Sequence, residues 1–162
     1  MSINTHGDQP LSSSLLDRLI DNGGDGAPRS RGASLRDLKV AIRRDLEALL
    51  NARQRCRSWD PELSELNDSL VNFGIPDFTA GSFESEIRIE NLRRAIEETI
   101  RRFEPRFESV SVDIAGKGEM DRAFRIRINA LMHADPVPEP IVLDSLLESA
   151  TRTFDVVENE HE

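Results

Sequence analysis

A chain of 162 residues, 38% of them hydrophobic, is long enough for one cored domain with tails. Its formal charge of −9 argues against bulk nucleic-acid binding, and its single cysteine, Cys56, excludes an internal disulfide and fits a reducing compartment. No apolar run approaches the roughly 18 residues of a spanning helix, so direct membrane insertion is not expected.

The charge is unevenly spread. Up to Arg57 there are ten basic and seven acidic residues, and from Ser58 onward eleven basic and twenty-three acidic, so the net charge runs from +3 to −12. Lys39 and Lys117 are the only lysines. Arginine, which makes up the rest, suits forked pairing with carboxylates.

Residues 1–33 read as an N-terminal segment. The start, Met-Ser-Ile-Asn-Thr-His, is polar and lacks the apolar stretch of a secretion signal. Leu15, Leu16 and Leu19 then lie on one side of a short amphipathic helix, and Asp21 to Pro28 form a glycine-rich linker. A short helix on a flexible tether has little core of its own. It either docks in a partner's groove or folds back on its own domain, and Leu15, Leu16 and Leu19 are its candidate contact residues.

Residues 34–157 read as one domain, followed by an acidic tail at 158–162. Ser34, with Asp37 three residues on, resembles a capping box for a first helix striped by Leu35, Leu38, Ile42, Leu46 and Leu49. Leu63, Leu66, Leu70 and Phe73 predict a second helix, opened by Asp60-Pro61 and stopped by Gly74 and Pro76. A third helix, from about Glu84 to Phe103, carries Ile89, Leu92, Ile96, Ile100 and Phe103 at spacings of 3, 4, 4 and 3.

At Phe103-Glu104-Pro105-Arg106-Phe107 the periodicity changes. Pro105 lacks an N–H and disfavours helical geometry at Glu104, so the helix should stop there. In an extended segment Phe103, Pro105 and Phe107 would point one way, and Glu104 and Arg106 the other, towards solvent. Phe107–Ala115 then alternates as a strand, residues 116–119 form a turn, and Phe124–Ala130 alternates again. The proline-rich stretch 135–140 breaks the sheet, and Ile141–Val157 reads as strand, turn, strand, with a helix over Leu143–Leu147 as the alternative. The expected class is α+β: three main helices, then a small, mostly antiparallel sheet of about four strands, plus the flexible N-terminal helix.

Chemistry is sparse. His6, His133 and His161 are scattered, no Cys/His cluster has metal-ligand spacing, and no cofactor or metal is expected. A glycine-rich phosphate loop and a nucleophile elbow are both missing. Glu104 is the one carboxylate in an unusual context, but Arg106 beside it would favour its ionised form, the wrong direction for a general acid. Catalysis is not expected.

Several motifs in order resemble one family. They are Ser14-Leu15-Leu16-Asp17-Arg18-Leu19, Arg44 to Arg53, Ser69 to Phe78, Phe103-Glu104-Pro105-Arg106, and Phe124 to Ala130. Together they resemble the TssE family, baseplate proteins of type VI secretion systems that are similar to the wedge and sheath-initiating protein of contractile phage tails. Phe73 and Ala52 depart from it, standing where the family often has Tyr and Thr. The resemblance implies a non-enzymatic role at a cytoplasmic baseplate on the inner membrane, with the sheath proteins TssB and TssC and the wedge proteins TssF, TssG and TssK as partners. It also suggests that sheath arms add strands to the sheet, with Glu104, Pro105 and Arg106 as partner-binding residues. Two other readings stand beside it: a peptidoglycan hydrolase, from an older lysozyme-like description of the family, and a stand-alone regulatory binder.

Overall fold

A computed structural model describes residues 16, 19, 31–54, 60, 62–78, 85–115, 123–134, 137–148 and 153–158. Two α-helices, α1 (Arg31–Asn51) and α2 (Glu86–Phe103), precede four strands: β1 (Phe107–Ala115), β2 (Ala123–Met132), β3 (Glu139–Glu148) and β4 (Phe154–Glu158). The strands form one antiparallel meander in the order β1-β2-β3-β4. The α+β class and the four-stranded sheet are as expected.

The core lies between the helices and one face of the sheet. From α1 come Leu38, Ile42, Leu46, Leu49 and Leu50, and from α2 Leu92, Ile96 and Ile100, all buried. The strands add Val110, Val112, Phe124, Ile126, Ile128, Ile141, Leu143, Leu147, Phe154 and Val156. Period-2 alternation sends the intervening residues to the opposite face. There Arg127 of β2 pairs with Asp144 of β3 at 2.9 Å, and Asn129 donates to Asp113 of β1 at 3.2 Å.

Four expectations need correction. The second helix does not form: Ser64–Asn67 and Leu70–Asn72 are short 3-10 turns instead. Ser69 between them is extended, its hydroxyl donates to Leu66 C=O at 2.8 Å, and the Asn72 amide donates to Asn67 C=O at 2.8 Å. These side-chain bonds satisfy backbone groups that a helical ladder would otherwise use. The supposed apolar stripe is split, since Leu63 is exposed and Leu70 is 84% exposed while Phe73 packs against the core.

Second, α1 starts at Arg31, so Ser34 is a buried residue of its first turn and not its cap. Third, Gly74 does not end an α-helix. It has φ +104° and lies where a Cβ would be 2.6 Å from the Ala52 carbonyl oxygen. That close approach lets Ile75 N–H donate to Ala52 C=O at 3.1 Å and Gln54 N–H to Ile75 C=O at 3.0 Å, tying the end of α1 to the interhelical segment. Fourth, the prolines do not all lie outside the sheet. Pro140 is in β3, opposite Leu131, in the stretch of β3 before β4 pairing starts at Leu143.

Of the N-terminal docking residues, Leu16 and Leu19 are helical and exposed. Leu15, the linker and the 116–119 turn lie outside the described residues.

Candidate functional site: a locked corner and two guarded sheet edges

The corner forms where the α2 ladder runs out. Glu104 N–H makes the last helical bond, to Ile100 C=O at 2.9 Å, and Pro105 has no N–H to continue it. Phe107 N–H then returns to Glu104 C=O at 3.2 Å, a tight turn with Pro105 at its second position. The segment is therefore a turn, not the extended strand expected, and the sides are redistributed. Pro105 is exposed, whereas Phe103 and Phe107 pack against the core, Phe103 meeting Phe73 edge-on with centroids 5.4 Å apart.

Glu104 does not face solvent. It is 4% exposed and is the only charged residue buried among those described. Both its carboxylate oxygens are held by the Arg106 guanidinium, and Oε1 also accepts the Arg106 N–H at 3.3 Å. Arg106 Nη2 reaches on to Asp45 Oδ2 of α1 at 2.8 Å, and Asp45 also pairs with Arg44. Burial alone would lower the Arg106 pKa, but hydrogen bonds and charge from Glu104, then from Asp45, outweigh it and raise the value above the ordinary one. His133 N–H donates to Arg106 C=O at 2.8 Å, joining the corner to the end of β2. One arginine thus fastens α1, the end of α2 and the sheet. Asp45 was not singled out in the sequence, and nothing local marks it, since its partner lies sixty-one residues away.

The meander leaves β1 and β4 as edges, and side chains from the helices occupy both. On β1 the outward C=O of Val112 accepts Arg93 Nη1 at 3.5 Å, and the Val112 backbone amide bonds the Glu97 carboxylate. Arg93 is itself held by Glu90 and Glu97 at 2.8 Å each, and Glu97 by Arg101 at 2.8 Å. On β4 the Asn51 amide brackets Phe154, donating to its C=O and accepting from its N–H, both at 2.9 Å. Arg43 reaches Val156 C=O at 3.4 Å. Backbone groups on an edge alternate inward and outward, so Phe154, Val156 and Glu158 turn theirs outward from β4. Asn51 could not be found from sequence alone, because its partner is 103 residues away.

Among the described residues this geometry ties α1, the end of α2 and the sheet together. The one buried carboxylate among the described residues has both oxygens engaged by a guanidinium. Comparison with known families shows that the chain belongs to the baseplate wedge protein gp25 family, whose profile matches residues 36–137. The matched span contains α1 from residue 36 onward, all of α2, the corner, β1 and β2. The family is one of phage-baseplate-type structural proteins. No curated protein matches the chain.

Proposed function

We propose that this protein is a TssE-type component of a type VI secretion baseplate, docking on the wedge proteins TssF, TssG and TssK and starting polymerisation of the TssB–TssC sheath. The observation that carries the reading is the family match over residues 36–137, which covers the corner whole. The type VI assignment rests on the motif resemblance, and with it the cytoplasmic location at the inner-membrane face. The role is assembly, not catalysis.

The corner supplies the wedge contact. Pro105 is the exposed tip, Arg106 is half-buried behind it, and Glu104 is a positioning residue that holds the guanidinium. The exposed Leu16 and Leu19 fit a second, tethered contact with the wedge. The sheet supplies the sheath contact, since an edge strand can pair with an extended arm from a neighbouring chain.

Co-purification tests this. Tagged full-length protein is expected to retain TssF/TssG, and to recruit TssB/TssC only when the wedge is present. Failure to retain either set, with lysis of peptidoglycan in a turbidity assay, would put the hydrolase reading in its place.

A further inference from the structure

The helix-facing positions of β4 change character along the chain, and the flank of α1 beside them changes in step. Phe154 and Val156 are buried on the helix side of the sheet, while Asp155 and Val157 are exposed on the other. The same alternation carried onward assigns positions 158, 160 and 162 to the helix side, and all three are glutamates. β4 runs antiparallel along α1. Asn51 at the end of the helix brackets Phe154, and Arg43, about two turns earlier, reaches Val156 C=O at 3.4 Å. At Glu158 the strand therefore points towards the first half of α1.

On that flank of α1 stand Arg36, Lys39 and Arg43, at spacings of 3 and 4, with the exposed Val40 beside them. The acidic residues of α1 are placed differently. Asp45 turns away to Arg106, and Glu47 lies a turn nearer Asn51, next to the apolar part of the strand. Only Asp37 is close to Arg36 along the helix, which leaves three cations against one carboxylate. The lengths also match. Four residues of extended chain after Glu158 span about 13 Å, and the rise from Arg43 back to Arg36 is about 10 Å.

We propose that the acidic segment 158–162 docks along this flank of α1, with Glu158, Glu160 and Glu162 against Arg36, Lys39 and Arg43. Asn51 fastens the Phe154 end of β4 to the helix, and this clasp fastens the other end. A single exposed ion pair contributes little, but three in register act as a network and are weakened together by salt. An acidic segment of another protein would have to displace these glutamates to reach the same cations. The clasp is independent of the sheath-starting role.

Carbodiimide coupling of the full chain tests it, because this reagent joins an amine to a carboxylate only where the two touch. Lys39 and Lys117 are the only lysines, so the products are simple to map by digestion. The expected product is an amide within one chain, between Lys39 and Glu158, Glu160 or Glu162. Its yield should fall several-fold at about 1 M salt, where the screening length is about 3 Å. Lys39→Arg should abolish it. Hydrogen exchange gives a second readout. In a variant carrying Glu158→Gln, Glu160→Gln and Glu162→Gln, the Val157 amide should exchange several-fold faster, with the amides of α2 unchanged. Coupling of Lys39 only to carboxylates outside 158–162 would overturn the proposal. So would a product joining labelled to unlabelled chains in an isotope mixture, which would make a second copy the occupant. Equal Val157 exchange in the parent and the variant would also overturn it. None of these results bears on sheath recruitment, which co-purification reads separately.

Discussion

Arg106 is the residue on which most of this chain's distant parts converge. It holds Glu104 at the end of α2, Asp45 on α1 and, through its carbonyl, the start of the loop after β2. Removing the guanidinium strands the Glu104 carboxylate in a site that is 4% exposed. Breaking a buried pair from one side costs about 3–5 kcal/mol, far above the ~0–1 kcal/mol of an exposed pair. Arg106→Ala is therefore expected to lower stability by about 3 kcal/mol in urea denaturation, the low end because Arg106 keeps some solvent contact. Arg106→Lys should recover only part, since one ammonium cannot fork onto both oxygens. An Arg106→Ala protein as stable as the parent would show that the network is not under tension between burial and pairing. The burial of Glu104 was not legible in the sequence: a Glu-Pro-Arg turn looks solvent-facing until Asp45 and the core on either side are in place.

At the scale of elements, the legible parts were those whose own periodicity is strong. The α2 stripe from Ile89 to Phe103, and the alternation of Val110 to Ile114 and of Phe124 to Ile128, each identify an element and its buried face without outside help. The Leu63–Phe73 stripe had the right spacing but the wrong company. Ser69 and Asn72 turn their side chains back onto the backbone carbonyls of Leu66 and Asn67, and the segment becomes two 3-10 turns. Guarding of the β4 edge was illegible for a different reason: it joins Asn51 and Arg43 of α1 to a strand more than a hundred residues along the chain.

The α2 ladder makes an acid-pH prediction. Hydrogen bonds from Arg93 and then Arg94 hold Glu90 at a pKa of about 2, below its ordinary 4.5, and the bond from Arg101 is the largest of those that lower Glu97. Carboxylates with depressed values stabilise the fold above the unfolded-state pKa and lose that contribution as pH falls through the folded one. Stability is thus expected to be level above about pH 5 and to fall between about pH 4.5 and 2, with Glu90→Gln flattening that decline. Thermal melts across this range check it, and an unchanged slope in the variant would contradict it.

At the scale of the molecule, one helical layer packs on one face of a four-stranded meander, and α1 starts only at Arg31. Deleting residues 1–30 leaves both helices and the whole sheet. The shortened protein is expected to melt within a few degrees of the full chain and to bind the wedge more weakly, as loss of one of two linked contacts requires. A large drop in melting temperature would mean that the N-terminal segment belongs to the core.

The central proposal is that this chain starts the sheath from the baseplate, and live imaging of labelled TssB in cells lacking the protein tests it most directly. The expected result is loss of extended sheaths, restored by the parent chain. Extended sheaths forming at normal frequency in cells without the protein would contradict it.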